Sequence, residues 1–502
     1  GIGKKTAEKI STSYLEQSEL TEIMVWLENH GISNTYAGKI FAKYGSFAID
    51  IMEKDIYRLF QDIEGIGFLT ADKLAFNLGI QREDKRRIIS GIDYALMQLC
   101  NNGHCCIPEM ALVDKTAKIL QVNNQIIFTI LKERIDNGSL NTEVVGGETL
   151  IYPPYLYYAE KKVATRLLQL QQATEPLSED NLSLFIKVWE KDNQIQLAQK
   201  QKEAIKACLH HGVLVLTGGP GTGKTTVLRT ILEVYRRLHP DGKIALMAPT
   251  GRASRRMSES TGFEDARTLH SGLGLTSEED EGSRNRKSEP LSADLIIVDE
   301  FSMVDMWLAE KFFERMKANA RIVLVGDPDQ LPSVGAGNVF REIIETQIVP
   351  VTVLDQIFRQ SKDSLIAYNA KFINEGNTKL FYGPDFVFVS GDSQEDTAEK
   401  ITERYCLEIQ ESGIENVQIL SPFRSEGAAS SEQLNETIRE LVNPFRSAEE
   451  EIKFGPKIFR INDRIMQTKN TEKVSNGDLG FIRYIKDTDQ GKKIGMDFGA
   501  GI

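Results

Sequence analysis

The sequence predicts a multidomain α/β protein: an all-helical N-terminal part, a parallel-sheet core built to hold a nucleotide, and a strand-rich tail. Three observations carry that expectation. Between Gly212 and about residue 345, four short continuous apolar runs (GVLVLTG, KIALMAP, ADLIIVDE and RIVLVGDP) alternate with helical patterns, which suits parallel strands buried on both faces. The first run leads directly into G-x-x-x-x-G-K-T at Gly218–Thr225, a loop type that cradles phosphate. Glycine-punctuated short helices precede this block and strand-like runs follow it.

Bulk properties bound the possibilities. At 502 residues the chain exceeds what one hydrophobic core serves. Its 41% hydrophobic and 26% charged content is ordinary for a globular protein, and no run approaches the roughly 18 apolar residues of a membrane span. The opening GIGKKTAEKI has neither a signal-peptide core nor an Arg-rich transit pattern, so a cytoplasmic protein is expected. A net charge of −12 argues against non-specific coating of nucleic acid, because phosphate neutralisation needs Lys and Arg. A focused basic track inside a groove stays open. The five cysteines lack paired spacing, and GHCC has no second Cys/His pair beside it. Packing in a reducing compartment is therefore expected rather than a metal site.

Taken in order, residues 1 to about 90 repeat a glycine turn followed by an amphipathic helix. GIGKKTAEKI recurs in kind at EGIGFLTADKLAFNLGI, with HGISNTYAGKIFAKYG a looser echo. From about 86 to 165 apolar residues fall at helical spacing, and NGSLNTEVVGGETLIYPP predicts a β-hairpin. Two helical patterns then flank the polar joint TEPLSEDN. Inside the α/β block, TSEEDEGSRNRKSEP predicts an exposed insertion. Beyond 350, VTVLDQ, FVFVS and VQILSPF predict strands of a second α/β unit, and SNGDLG in the tail is a hairpin signal.

The chemistry concentrates where strands end. Gly218, Gly219, Pro220, Gly221, Thr222 and Gly223 let backbone N–H groups wrap a phosphate at a helix start. Lys224 is expected to reach the β- and γ-phosphates, and Thr225 to ligate Mg²⁺, with Thr226 beside it. The ADLIIVDE run ends in Asp299-Glu300; Asp299 is expected on Mg²⁺ and Glu300 as the group that polarises the attacking water. RIVLVGDPDQLP brings Gln330 to the same edge between two prolines. A neutral amide there can donate to a γ-phosphate oxygen and accept from a water, and so sense whether that phosphate is present.

These residues with their neighbours resemble superfamily 1 helicases, and closely the RecD-like DNA helicases with a long N-terminal region. LAQKQKEAI resembles the adenine-reading Q motif, with Gln201 as its glutamine. APTGRASRRM and ARTLH resemble motifs Ia and Ib, VDEFSMVD motif II, GDPDQLPSVGAGNVF motif III, and LDQIFRQSKDSLIAYNAKFINEG motif IV. The resemblance implies tandem RecA-like P-loop domains preceded by an all-α helix-hairpin-helix region and followed by a partial small β-barrel. Expected boundaries are 1–85 (helix-hairpin-helix), 86–190 (helical/winged linker), 191–345 (first motor domain, insertion about 271–293), 346–445 (second motor domain, incomplete) and 446–502 (barrel, incomplete).

It also implies an ATP-dependent helicase using ATP and Mg²⁺ to move 5′ to 3′ along single-stranded DNA, as a monomer. By position, Thr250, Arg252, Thr268 and His270 would meet the DNA backbone, and Arg359 in IFRQ would reach the γ-phosphate from the second lobe. Gly1, Gly3 and Lys4 would bind a phosphate of a DNA junction, or the turns simply pack helices. Arg255 and Arg256 form either a basic cluster or a solvated helix face. The insertion sits where relatives carry a strand-splitting hairpin. The blocks resembling motifs V and VI are not found before KKIGMDFGAGI, so a fragment of a longer enzyme is expected. Two other readings compete: a non-motor DNA-junction module with the P-loop as a switch, and a nuclease-linked subunit, for which no His/Asp cluster with nuclease-metal spacing is seen.

Overall fold

The computed structural model describes residues 4–173, 176, 179–219, 221–275, 290–356, 364–455, 457–468, 471, 474, 476–488 and 491–499. The chain divides into two compact units. One comprises Gly1–Arg166, Met303–Glu314 and Pro332–Glu342; the other comprises Leu167–Ser302, Arg315–Leu331 and Ile343–Ile502. No described helix is long and apolar enough to cross a membrane.

The first unit is mostly short helices whose ends are written in the sequence. Helix Lys85–Asn101 starts where the Asp84 carboxylate accepts the Arg86 N–H at 2.8 Å. Helix Asn124–Asp136 starts where Asn123 accepts the Gln125 N–H, also at 2.8 Å. Each side chain satisfies a donor that the first helical turn leaves unpaired. Leu27, Ile40, Leu59, Phe68, Ile88 and Leu112 are buried in one core. Gly91 permits helix Lys85–Asn101 to cross helix Glu109–Leu120 closely, since a Cβ there would meet Leu120 Cδ1 at 2.5 Å. The second glycine turn is used for packing: Gly65 takes φ +96°, while Ile66 and Phe68 on either side of Gly67 are buried.

A buried ion pair staples this core. Arg87 grips Asp72 with two parallel bonds, Nε to Oδ1 at 2.8 Å and Nη2 to Oδ2 at 2.9 Å. The Tyr57 hydroxyl donates to Asp72 Oδ1 at 2.8 Å, and Arg87 Nη1 donates to the Arg82 and Leu120 carbonyls. The carboxylate is matched bidentately and four of the five guanidinium N–H groups are bonded, the condition under which a buried pair is tolerated. The expected hairpin forms from strands Asn141–Val145 and Glu148–Tyr152. Gly146 and Gly147 turn it with φ of +61° and +86°, the two left-handed positions of a tight hairpin turn. Ile107–Pro108 adds a third strand.

The second unit holds a six-stranded, all-parallel sheet in the order Ala266–Thr268, Ile244–Ala248, Leu295–Val298, Arg321–Gly326, Val213–Gly218, Val351–Leu354. Every residue of the Val213–Gly218, Leu295–Val298 and Arg321–Gly326 strands is buried, which is why their sequences run apolar without alternation. The expectation for the region past 350 needs correction. Val351–Leu354 pairs in parallel with Val213–Gly218 and extends this same sheet instead of opening a second one. FVFVS and VQILSPF are not strands, and their Val387, Phe388, Val389 and Leu420 are exposed. An apolar run becomes a strand only where a neighbour offers a ladder, and no such neighbour lies beside these two among the described residues. The tail forms a hairpin, Glu451–Phe454 with Lys457–Arg460, and an antiparallel sheet of Arg464–Met466, Leu479–Thr488 and Gly491–Asp497.

Candidate nucleotide site and nucleic-acid contacts

Because the sheet is parallel, all its strands exit on one edge, where ligands of open α/β sheets collect. The loops after Val298, Gly326 and Gly218 leave from three consecutive strands. That single fact brings together motifs that are far apart in the chain.

The phosphate loop owes its shape to glycine. Gly221 and Gly223 take φ of +75° and +83°, values that side chains resist. At Gly218 a Cβ would meet the Leu354 carbonyl oxygen at 2.5 Å. Thr222 is buried and its hydroxyl donates to the Gly219 carbonyl at 2.8 Å. Lys224 opens helix Lys224–Leu238, and its ammonium donates to the Gly218 carbonyl and, at 3.3 Å, to that of Gly219. Thr225 stands exposed on the first turn, with Thr226 half-buried behind it. Pro220 lies outside the described residues.

Asp299 follows its strand directly and accepts the Glu300 N–H on Oδ1 at 2.9 Å. Glu300 has φ +52°, an uncommon left-handed setting for a residue with a Cβ and one that clusters at functional sites. Burial raises both carboxyls above their ordinary range. For Asp299 the Glu300 N–H, Lys224 and Arg256 oppose the rise; for Glu300 the neighbouring Asp299 adds to it, while Lys224 and Arg256 oppose it. The two desolvated carboxyls offer hard oxygen donors of the kind that suits Mg²⁺, and Thr225 presents an exposed hydroxyl on the first turn of its helix.

Two residues here carry more than their sequence suggested. Asp327 is buried, and its Oδ1 accepts the Asp329 N–H at 3.1 Å while its backbone carbonyl accepts the Gln330 N–H at 3.2 Å. It shapes the turn that presents Gln330, whose exposed side chain approaches Asp327 Oδ2 at 3.5 Å. A buried carboxylate directly after a buried strand was the available signal. Arg256, though exposed, carries a charge that opposes the rise of both Asp299 and Glu300. Arg255 is paired with Asp478 next to the Leu479–Thr488 strand.

The remaining expected residues divide. Gln201 is buried, and its side-chain oxygen accepts the Ala198 N–H at 2.9 Å at the start of helix Gln199–His210. Its amide N–H₂ makes no hydrogen bond among the described contacts. Thr250 and Thr268 both cap helices, accepting from Ala253 N–H at 3.2 Å and Ser271 N–H at 3.1 Å. Arg252 is exposed on the first turn after Thr250, and His270 is half-buried in the turn after Thr268. Their strands, Ile244–Ala248 and Ala266–Thr268, are paired neighbours, so these four residues occupy one end of the same sheet edge. Arg359, Gly1, Gly3 and most of the insertion lie outside the described residues, and Lys4 is described only as the first residue of helix Lys4–Asn29. No group of metal-binding His, Cys, Asp and Glu occurs among the described residues, and the five cysteines are free thiols.

Family models match three parts of the chain. An AAA domain covers 201–336, the HHH domain of ATP-dependent RecD2 DNA helicases covers 16–106, and the SH3 domain of ATP-dependent RecD-like DNA helicases covers 434–498. The ATP-dependent RecD2 DNA helicase of Deinococcus radiodurans is 30% identical over 520 aligned residues, spanning 100% of this chain and 68% of that protein. The RecBCD enzyme subunit RecD of Mycolicibacterium smegmatis is 38% identical over 167 residues, 29% of this chain and 30% of that subunit. The chain thus spans about two thirds of the first relative and under a third of the second. Among solved structures, the Pif1 helicase of Candida albicans aligns with 59% of this chain and 70% of its own at 22% identity, with a TM-score of 0.32. A glycine-rich loop, an acidic pair and a glutamine-bearing turn on three consecutive strand ends, in a chain aligned end to end with a RecD2 protein, lead to one conclusion: this chain belongs to the family of RecD2-type ATP-dependent DNA helicases.

Proposed function

We propose that the chain carries the first motor lobe of a helicase that moves 5′ to 3′ along single-stranded DNA, hydrolysing ATP between two lobes. The observation that carries this reading is the convergence of Lys224, Asp299, Glu300 and Gln330 on consecutive strand ends. Lys224 holds loop carbonyls with its ammonium and would exchange them for β- and γ-phosphate oxygens. Glu300, with its carboxyl raised by burial and by Asp299, is matched to accept a proton from the attacking water. Gln330, presented by the Asp327 turn, would register departure of the γ-phosphoryl group. Held by Thr225 and Asp299, Mg²⁺ would supply charge neutralisation at the phosphates.

Thr250, Arg252, Thr268 and His270 would line the strand's backbone without reading bases. Arg359 would complete the charge stabilisation from the second lobe only on closure, which ties hydrolysis to lobe motion. A monomer acting in the cytoplasm on single strands and junctions completes the proposal. The test is unwinding of duplexes with a 5′ or a 3′ single-stranded tail, with ATPase measured alongside. ATPase stimulated by single-stranded DNA and opening of the 5′-tailed duplex alone are expected; equal opening of both, or stimulation by neither, refutes it.

A further inference from the structure

The two catalytic motifs do not end at the nucleotide. Shortly after Glu300 the chain enters the N-terminal unit at Met303 and stays there to Glu314; shortly after Gln330 it enters again at Pro332 and stays to Glu342. Within that unit the two returning segments are bonded to each other and to the loop before the GHCC cysteines. The Met306 N–H donates to the Ala336 carbonyl at 2.8 Å, and the Gly337 N–H donates to the Gly103 carbonyl at 2.9 Å. The Ser333 hydroxyl donates to the carbonyls of Gly335 and Gly337 at 3.2 and 2.9 Å.

Packing there leaves no slack for side chains. A Cβ on Gly335 would collide with the Asp305 carboxylate, and one on Gly337, at φ +97°, would lie 3.0 Å from both Cys105 Sγ and Met306 Cβ. Asp305 in turn accepts the Leu308 N–H at 2.8 Å, at the start of helix Met306–Glu314. Glu310 on that helix pairs with Lys162 at 2.6 Å. Beside the junction lies an open cleft of about 430 Å³, lined in part by Cys100, Tyr155, Trp307 and Val334.

We propose that this junction is a coupling device: Gly103, Cys105 and Gly337 are positioning residues through which the N-terminal unit registers the nucleotide state sensed by Glu300 and Gln330. The physical reason is that the two motif loops are short and covalently continuous with segments held by backbone hydrogen bonds. Densely packed contacts switch between discrete arrangements rather than deform continuously. A thiol switch is not the basis, because burial pushes Cys105 up to about 12 and raises Cys100 and Cys106 as well, which disfavours the reactive thiolate. That same reticence makes Cys105 a sensitive reporter of opening.

The first arm of the test needs only nucleotide binding. Alkylation of Cys105 by N-ethylmaleimide, read by peptide mass spectrometry, is expected to differ about 5-fold or more between protein saturated with a non-hydrolysable ATP analogue and protein saturated with ADP. The difference disappears in Lys224→Ala. Equal rates with both nucleotides shown to be bound overturn the inference.

The second arm rests on the helicase reading. Cys105→Phe, which crowds Gly337, is expected to raise the ATP consumed per base pair opened about 5-fold with KM for ATP unchanged, and Cys105→Ser to keep wild-type economy. Wild-type economy in a folded Cys105→Phe protein overturns the inference. If that variant does not fold, Lys162→Glu, which sets two carboxylates together at Glu310, takes its place under the same criterion. A full-length wild-type protein that opens no duplex refutes the helicase reading instead, and the alkylation result then decides this inference by itself.

Discussion

Two stretches of the second unit have similar composition and opposite fates. The runs in Val213–Gly218, Leu295–Val298 and Arg321–Gly326 are buried throughout and paired on both sides. FVFVS and VQILSPF are as apolar and as rich in β-branched and aromatic residues, yet Phe388 is 68% and Leu420 is 88% exposed, and neither run is a strand. Intrinsic β-preference spans only about 1 kcal/mol. Burial of a large apolar side chain contributes about 1.5–3 kcal/mol. What separates the two stretches is therefore the supply of neighbours, and the candidate site lies where neighbours hold the strand ends still.

The largest expected effect tests whether chemistry belongs to the covered sheet. Lys224→Ala should lower ATPase about 10²–10³-fold with little change in melting temperature, whereas Phe388→Ala should leave the affinity for ATP unchanged. Loss of ATP affinity in Phe388→Ala would erase the distinction. Next comes packing itself. Leu324→Ala, at a fully buried strand position, should destabilise by about 3 kcal/mol, and Phe388→Ala by no more than about 0.5 kcal/mol. Hydrogen exchange of the amides in 321–326 and 386–390 measures the two separately; equal losses would mean that Phe388 is covered after all.

The smallest effect concerns pH. The Asp299 carboxyl is raised in the folded state, mainly by burial. Its charge therefore costs stability at pH values above that raised pKa, and the cost vanishes below the ordinary carboxylate range, where both states are protonated. Asp299→Asn, which keeps the acceptor for the Glu300 N–H, should be inactive and yet melt slightly higher at neutral pH, with the gain gone near pH 3. A lower melting temperature at pH 7 would show that the charge is compensated.

The first sheet and its phosphate loop were legible because their signals are local: an apolar run, glycines at fixed offsets and a lysine at a helix start. The acidic pair and Gln330 were legible for the same reason, each following a buried run. Asp327 and Arg256 were not, since Asp327 matters through the turn it braces beneath Gln330 and Arg256 through its charge near Asp299 and Glu300. The VTVLDQ run was assigned to the wrong sheet because composition marks only a candidate strand, while topology decides whether it pairs and with which neighbour. Equally invisible was the return of the chain from Glu300 and Gln330 into the N-terminal unit, which depends on backbone bonds from Gly337 and Met306.

The interior position of the Val213–Gly218 strand has a consequence for synthesis. Its two partners are Arg321–Gly326 and Val351–Leu354, both more than a hundred residues downstream. At about 5–20 residues per second on the ribosome, the nascent strand waits on the order of ten seconds before either flank arrives. During that interval a strand that is apolar in its first four residues lacks both of its ladder partners, so newborn chains should be clients of holding chaperones until about residue 354 has emerged.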